Sequence, residues 1–263
     1  MFTRPTWRSR TLYQVLATVL VLPFLLPLLW IVAISFEGAG AVVNYTAVVT
    51  QTPFLSFVVN SLIISIGTVG LVFASTMLAG YALGKLHFHG RELIFTAILA
   101  GLMLPAVALV VPLFTIVKTL GLFNNYLAVI LPLTAGLLPM TILLTRNFVK
   151  GIPDELLDAA RIDGATSFGA LTRIVIPLSR PIIAVVIVWA FLNSWNEFFL
   201  PLVFLQSTSM QVITQIPTYF TSTYGSDVPK IFAALVLMCL PIVIGYLSFQ
   251  KFFERGLTAG AIK

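Results

Sequence analysis

The sequence predicts an all-α integral membrane protein with six transmembrane helices. Of its 263 residues, 59% are hydrophobic and only 9% are charged, whereas soluble domains carry roughly 25% charged residues. Six apolar stretches are each long enough to cross a hydrocarbon core about 30 Å thick, which takes ~20 helical residues. Helices are expected because backbone polar groups in lipid must be hydrogen-bonded within the spanning segment.

The six predicted spans belong to one transmembrane domain over residues 1–263. They cover about residues 12–34, 56–83, 93–117, 126–146, 181–205 and 231–250. The first stretch follows several arginines, as in a signal peptide, but its apolar part exceeds the ~7–15 residues of a signal core. We therefore predict a retained first span. Pro105 and Pro112 are expected to kink the third span, because each removes a backbone donor.

The placement of lysine and arginine predicts the orientation of the spans. All but two of the 15 basic residues fall on one side of the predicted bundle, and only Lys118 and Lys230 fall on the other. Cytoplasmic loops of membrane proteins are enriched in these residues, so both termini are expected in the cytoplasm. The same distribution explains the net charge of +6 without a nucleic-acid partner.

The longest predicted cytoplasmic segment covers about residues 147–180, between the fourth and fifth spans. Pro153 suits the first position of a short helix, since its missing N–H would be unbonded there anyway. Asp154 and Glu155 follow in the first turn, where carboxylates interact favourably with the helix dipole. Gly164 fits the C-terminal end of this helix.

A second short helix is predicted after the glycine, with Ser167 as its cap and its end before Pro177. On a 100° wheel, the polar face of the first helix holds Asp154, Asp158 and Arg161, and the opposite face holds Leu156, Leu157, Ala159 and Ala160. The corner between the helices is small because it contains Ala159, Ala160, Gly164 and Ala165. Such a corner suits close approach by a second protein; a helix lying on lipid headgroups is the alternative.

One motif in this segment resembles a known family. Asp158-Ala159-Ala160, three residues, Gly164, nine residues and Ile174-x-Ile176-Pro177 resembles the EAA loop of ABC importer permeases. That loop reads Glu-Ala-Ala, three residues, Gly, nine residues and Ile-x-Leu-Pro. The spacing matches throughout, and the two departures, Asp158 for Glu and Ile176 for Leu, are chemically mild.

Three further segments are similar to the maltose-type carbohydrate permeases. Leu120 to Tyr126 resembles the turn before their fourth helix, with Asn125 where threonine is commoner. Asn193 to Phe198 resembles the Trp-Asn-x-Phe stretch of their fifth helix, and Gly256 to Lys263 resembles their C-terminal signature without its final glycine. The resemblance runs from about the second helix to the C-terminus and fits the shorter of the two permease subunits.

The resemblance implies a permease subunit of an ATP-driven sugar importer in a bacterial or archaeal cytoplasmic membrane. It implies a heterodimer with a second permease, two copies of a cytoplasmic ATPase on the EAA loops, and an extracytoplasmic solute-binding protein. ATP and Mg²⁺ would bind to the ATPase subunits. This chain has no Gly-x4-Gly-Lys-Ser/Thr phosphate loop, so it is expected to be no enzyme and to bind no cofactor or metal.

Two sets of residues are candidate sites. The resemblance implies contact with the ATPase for Glu155, Asp158, Ala159, Ala160, Asp163, Gly164 and Ala165. The second set would line the translocation path and consists of Asn193, Trp195, Asn196 and Glu197. An ionisable residue within a span should face a cavity or a polar partner; here the amides and Glu197 would bond sugar hydroxyls and Trp195 would stack on the sugar. The alternative is that this second set bonds the partner permease or a neighbouring helix.

Other functions stay open on the sequence alone. An ABC permease for another solute, such as glycerol phosphate or an amino acid, would share the EAA loop. A secondary transporter with Glu197 as its ion site, or a channel or passive scaffold, would explain the spans without explaining the EAA spacing. The sequence does not identify the solute.

Overall fold

The computed structural model describes residues 7–223 and 225–259 and is mostly helical. Arg4 and the last four residues of the C-terminal signature, 260–263, lie outside the described residues. The helices are α1 (Trp7–Ile34), α2 (Ala41–Gln51), α3 (Phe54–Lys85), α4 (Arg91–Ala100), α5 (Val110–Thr119), α6 (Leu127–Lys150), α7 (Asp154–Ile162), α8 (Ser167–Ala170), α9 (Ile176–Leu178), α10 (Arg180–Trp195), α11 (Phe199–Phe204) and α12 (Val228–Ala259).

Shorter elements join these helices. The 3₁₀ turns are Gly101–Met103, Ala106–Leu109, Thr208–Met210 and Ile213–Phe220, and a π turn covers Leu171–Val175. A two-stranded antiparallel ribbon, β1 (Thr221–Ser222) with β2 (Gly225–Ser226), pairs Thr221 with Ser226.

Among the described residues, four helices are long and apolar enough to span a membrane: α1, α3, α6 and α12. Two bent pairs qualify if each is counted as one span. Arg91–Met103 with Ala106–Thr119 is bent by 97°, and Ser167–Leu178 with Arg180–Trp195 by 83°. The predicted class, a helical membrane protein, is confirmed with four to six candidate spans.

The third predicted span is broken rather than kinked. Leu104 has an extended backbone, with φ −81° and ψ 123°, because the ring of the following Pro105 disfavours the helical region for its neighbour. The expected effect of Pro112 is wrong: it lies in the first turn of α5, where a missing N–H breaks no intrahelical bond. One proline therefore separates α4 from α5, and the other is accommodated.

Helices α3 and α6 pack closely and run in the same direction. A Cβ added at Gly80 would lie 2.6 Å from Thr145 Cγ2, and one at Gly84 would lie 3.3 Å from Val149 Cγ1. Nearer the other end of the seam, the hydroxyls of Thr76 and Thr141 are 2.8 Å apart. Contact positions rise together along both helices, so the helices are parallel. Gly80 and Gly84 form a Gly-x3-Gly pair, a spacing of small residues that allows such close helix packing.

The chain divides into two compact units. One comprises residues 7–54, 216–223 and 225–240. In it, the described side chains of α1 from Tyr13 to Trp30 are exposed, and Asn44 Nδ2 of α2 donates to the carbonyls of Ser35 and Glu37, both at 2.9 Å. The turn after α1 is therefore attached to α2.

The other unit comprises residues 55–215 and 241–259 and holds both candidate sites. Its turn before α6 matches the expected position: Asn124 is left-handed, with φ 59°, and its N–H donates to the carbonyl of Phe204 at 2.9 Å. Asn124 Oδ1 accepts from the N–H of Ser207 at 3.0 Å, and Asn125 Oδ1 accepts from the N–H of Leu127 at 2.9 Å. The turn is thereby joined to the loop after α11.

Candidate functional site: the segment after α6 and the break after α10

Helix α7 begins and ends close to the predicted positions. Pro153 is extended, with ψ 134°, and precedes the first helical residue, Asp154, so its predicted place inside the helix is off by one residue. At the other end, Gly164 has φ +80°. The N–H of Gly164 donates to the carbonyl of Arg161 at 3.0 Å, and that of Ala165 to the carbonyl of Ala160 at 2.9 Å. These two bonds form a Schellman motif, which requires a left-handed residue at Gly164.

The buried face of α7 is narrower than the wheel predicted. Leu157 and Ala160 are buried, and Leu157 belongs to a buried cluster that includes Met77 and Tyr81 of α3. Leu156 and Ala159, which the wheel placed on the same face, are exposed. About one side chain per turn therefore attaches α7 to the bundle. The side chains of Leu156 and Ala159 remain accessible to another molecule.

The exposed side of this segment combines charge with large apolar side chains. Asp158 pairs with Arg161 at 2.9 Å, and both side chains are more than half exposed; such a pair contributes less than about 1 kcal/mol. Ile162 is 87% exposed and Phe168 66% exposed. Leu156 is exposed as well, so three large apolar side chains of this segment are not covered by the bundle. In the predicted contact set, the exposed members are Glu155, Asp158, Ala159, Asp163 and Gly164, whereas Ala165 is partly and Ala160 fully buried.

The second short helix differs from the prediction at both ends. Its cap is Thr166, whose hydroxyl accepts from the N–H of Gly169 at 3.1 Å; the predicted cap, Ser167, is the first helical residue. The helical path also continues through Pro177 to Leu178, by way of the π turn. Buried Ala170, Leu171 and Val175 hold this stretch against the cluster that contains Leu157.

Two basic side chains attach the surrounding helix ends to one another. Lys85, the last residue of α3, donates to the carbonyls of Lys150 and Ile152 and to Asp154 Oδ1. Arg146 of α6 donates to the carbonyl of Leu83 at 2.9 Å and to the carboxylate of Glu92. Its guanidinium also lies 3.7 Å from the centre of the Phe95 ring. The sequence indicated only the charge of these residues, because their partners lie more than fifty positions away in the chain.

The fifth predicted span, 181–205, is interrupted at its polar motif. Helix α10 ends at Trp195, and α11 begins at Phe199. Glu197 lies in the gap, and its Oε1 accepts from the N–H groups of Phe199 and Leu200, both at 2.9 Å. The carboxylate therefore caps α11, where it also meets the favourable end of the helix dipole.

The four predicted path residues have different environments. Asn193 and Asn196 are partly buried and exposed, respectively, and each donates its side-chain N–H to a carbonyl of its own helix. Trp195 is only 1% exposed and stacks on Phe191 at 5.8 Å between ring centres. The predicted stacking of Trp195 on a sugar is wrong for this conformation, because its indole faces are covered by protein.

Glu197 borders a cavity of about 560 Å³. Apolar side chains and glycines from the chain between α4 and α5, from α5, from α6 and from α11 supply most of its wall. The wall consists of Gly101, Leu104, Ala106, Val107, Leu109, Val110, Leu113, Pro132, Leu133, Ala135, Gly136, Leu137, Pro139, Phe199 and Leu200. Glu197 is the one ionisable residue of this wall. The cavity lies beside the break in the fifth predicted span and beside the break at Pro105.

Comparison with known proteins identifies the family. Residues 76–259 match the family described as "Binding-protein-dependent transport system inner membrane component". The chain belongs to this family. The matched range includes the EAA-like segment and both candidate sites, so the resemblance found in the motifs is confirmed, and with it the predicted function of an ABC importer permease subunit.

Relatives of this permease cover most or nearly all of its length. It is 34% identical to the sulfoquinovosyl glycerol transport system permease protein of Agrobacterium fabrum, over 97% of this chain and 94% of the relative. It is 40% identical to the arabinooligosaccharides transport system permease protein of Halalkalibacterium halodurans, over 78% and 72% of the two chains.

A solved structure shares the fold. A chain of a bacterial ABC transporter involved in the import of the acidic polysaccharide alginate aligns with a TM-score of 0.78 and 21% identity, covering 96% of this permease and 99% of that chain. At this identity the likeness concerns the fold alone.

Proposed function

We propose that this permease forms one half of the translocation path of an ABC carbohydrate importer and couples that path to a separate ATPase. Its relatives support a carbohydrate as the solute, because their names include sulfoquinovosyl glycerol, arabinooligosaccharides and trehalose/maltose transport. Residues 1–263 act as a single permease domain. A second permease completes the path, and an extracytoplasmic binding protein delivers the sugar.

Six membrane crossings with both termini in the cytoplasm fit the packing of α3 and α6. These two helices are parallel, as judged from the contacts of Gly80 with Thr145 and of Gly84 with Val149. Two parallel spans require an odd number of crossings between them, and the bent pair α4–α5 supplies one. The ends marked by Lys85 and Lys150 then lie on the same side, which the lysine and arginine distribution assigns to the cytoplasm.

The observation that carries the coupling role is the two-sided character of α7. Leu157 and Ala160 attach the helix to the bundle, while Leu156, Ile162 and Phe168 remain exposed around the glycine corner. Exposed apolar residues of this kind, next to charged ones, suit a protein partner. We assign this surface as the contact with a cytoplasmic ATPase. Two copies of the ATPase serve the heterodimer, and ATP and Mg²⁺ bind to the ATPase. Motion of the ATPases would then move α7 and the helices attached to it.

Asn193, Asn196 and Glu197 are the proposed polar residues of the path. Asn193 lies in the last turn of α10, Asn196 and Glu197 lie in the interruption that follows, and Glu197 borders the cavity lined by α5 and α6. An interrupted helix with a carboxylate beside a cavity provides hydrogen-bonding groups for sugar hydroxyls at membrane depth.

The test is a Gly164→Arg variant, co-expressed with the partner permease and ATPase. Gly164 has open space around its Cβ position, so an arginine there would extend outwards and obstruct the partner, while its φ of +80° strains the backbone of any residue that carries a side chain. Gly164→Asn is the control, because asparagine tolerates a left-handed backbone and adds less bulk. We expect the arginine variant to lose ATPase co-purification and sugar uptake while the permease pair stays in the membrane, and the asparagine variant to keep both. Normal sugar-stimulated ATP hydrolysis and uptake in Gly164→Arg would contradict the coupling role.

A further inference from the structure

Lys85 is a buried lysine whose ammonium group is fully used. Its side chain is 5% exposed. Its Nζ donates to the carbonyl of Lys150 at 3.3 Å, to the carbonyl of Ile152 and to Asp154 Oδ1 at 2.7 Å. An ammonium has three N–H donors, so each proton has its own acceptor.

The three acceptors lie within five consecutive residues that lead from α6 into α7. The carbonyl of Lys150 is in the last turn of α6, where carbonyls lack intrahelical partners and attract a positive charge. Ile152 belongs to the connecting turn, and Asp154 is the first residue of α7. A single side chain from α3 therefore holds the entire connection into the helix that is proposed to contact the ATPase.

The two carbonyls, rather than the ion pair, make this contact hard to replace. Asp154 is 77% exposed, and ion pairs with one exposed partner are weak. The bond to the carbonyl of Ile152 is buried, and the bond to the carbonyl of Lys150 is partly buried. Loss of the lysine would therefore leave the carbonyl of Ile152 without this donor in a buried position. Unpaired polar groups in buried positions are costly, so α7 would detach from the end of α3 or shift.

A second cation extends the linkage to α4. Arg146 of α6 donates to the carbonyl of Leu83, one turn from the end of α3, and pairs with Glu92 in the first turn of α4. The last turn of α3 is thus bonded on one side to α6 and α4, and on the other side to α7 through Lys85.

We infer that Lys85 is the positioning residue through which movement of α7 is transmitted to α3 and thus to the membrane-spanning bundle. The inference rests on the proposed function, because it requires α7 to be the contact with the ATPase. Lys85 itself lies at the end of the bundle and contacts neither ATP nor sugar. Its role is to keep α7 and α3 moving together, so that each cycle of ATP hydrolysis opens the path.

The experiment uses the complete importer in proteoliposomes, with the permease variants Lys85→Met, Lys85→Arg and Asp154→Ala. The matched control is Lys118→Met, which removes an exposed lysine at the end of α5, where the ammonium lies over the Phe114 ring at 5.0 Å. For each variant, three quantities are measured: the amount of ATPase that co-purifies, the rate of ATP hydrolysis, and the number of sugar molecules transported per ATP.

We expect Lys85→Met to retain bound ATPase but to transport at least about fivefold less sugar per ATP, the low end of typical coupling between sites. Lys85→Arg should recover most of this loss, because guanidinium also reaches several acceptors. Asp154→Ala should show a smaller loss, since the two carbonyls still hold the lysine. Lys118→Met should match the wild type.

An unchanged transport-to-ATP ratio in Lys85→Met would overturn the inference. If Lys85→Met yields no assembled complex, Lys85→Gln decides, because its amide can donate to at most two of the three acceptors: a reduced ratio supports the inference, and a normal one overturns it. The proposed function fails in a different way, because then the wild-type permease itself neither retains the ATPase nor couples ATP hydrolysis to uptake.

Discussion

Gly80 of α3 lies directly against Thr145 of α6, so that a Cβ at position 80 would come within 2.6 Å of the threonine Cγ2. This contact is the tightest of those along the α3–α6 seam. It lies shortly before Lys85 on α3 and directly before Arg146 on α6, the two residues whose side chains bond the ends of these helices. The close approach of the two backbones therefore brings the polar groups at this end within hydrogen-bonding distance.

The seam leads to a prediction about Gly80→Val. The added side chain cannot fit without moving α6, and overpacking of this kind costs about 1–3 kcal/mol. Gly70→Val is the matched control on the same helix, since no atom lies within 4 Å of a Cβ there. Both variants change helix propensity equally. Thermal unfolding in detergent should show a lower midpoint for Gly80→Val than for Gly70→Val; equal midpoints would mean that the seam can relax.

The cap of the second short helix provides another prediction. Thr166→Ala removes the hydroxyl that accepts from the N–H of Gly169 and should cost about 1 kcal/mol. Thr166→Ser keeps the acceptor and should resemble the wild type. Ser167→Ala, one residue further on, should have little effect because Ser167 is exposed and is not the cap. Limited proteolysis of the loop measures the difference, and greater sensitivity of Ser167→Ala than of Thr166→Ala would contradict this cap assignment.

Glu197 can be tested with two substitutions that separate its local role from its proposed place on the path. In Glu197→Gln, the remaining Oε1 can still accept from the N–H groups of Phe199 and Leu200, so the fold and the assembly should be preserved while sugar transport falls. Glu197→Ala removes the acceptor and should also destabilise the permease by about 1 kcal/mol. Unaltered transport in Glu197→Gln, or loss of its assembly with the partner permease, would instead favour a purely structural or interfacial role.

The contact between Lys85 and Asp154 predicts a pH dependence. The hydrogen bond from Lys85, and then its positive charge, lower the pKa of the Asp154 carboxyl. The folded protein therefore binds this proton more weakly than the unfolded chain, whose pKa is about 3.9. The stability from this group is complete above that ordinary value and is lost as the pH falls through the lowered, folded-state pKa.

The corresponding measurement compares the wild type with Asp154→Asn. Between pH 6 and pH 3, the unfolding midpoint should fall further in the wild type, whereas the difference between the two proteins should stay constant from pH 6 to 7. Asp227, whose pKa is lowered by the hydrogen bond from Lys230, is present in both proteins and cancels. Parallel curves across the acid range would show that the Asp154 contact contributes nothing to stability.

Some local features followed from residue type alone. Gly164 was expected to end a helix, and its φ of +80° with the two bonds of the Schellman motif confirms this. Gly80 and Gly84, spaced as Gly-x3-Gly, pack closely against α6. Glycine predicts such features because it lacks a Cβ, so it adopts a left-handed backbone and allows close helix contact more readily than other residues.

Other features depend on what surrounds a residue. Trp195 has the same neighbours in sequence whether it faces a path or a core, yet it is buried here. Leu156 and Leu157 have the same chemistry, yet Leu157 is buried in the cluster that includes Met77 and Tyr81, whereas Leu156 is exposed. A helical period defines faces, but the packing of the whole bundle selects which face is covered.

The amino-acid sequence by itself determined the membrane class, the apolar helices and the spaced EAA-like motif, because composition and local periodicity act within short stretches of chain. Only the tertiary structure decided which groups Lys85 and Arg146 bond, because these partners are 54 to 69 positions away in the chain. The sequence shows that a basic residue lies near the end of a span, but it does not show which of many possible acceptors that residue bonds. The parallel packing of α3 and α6 selects among them.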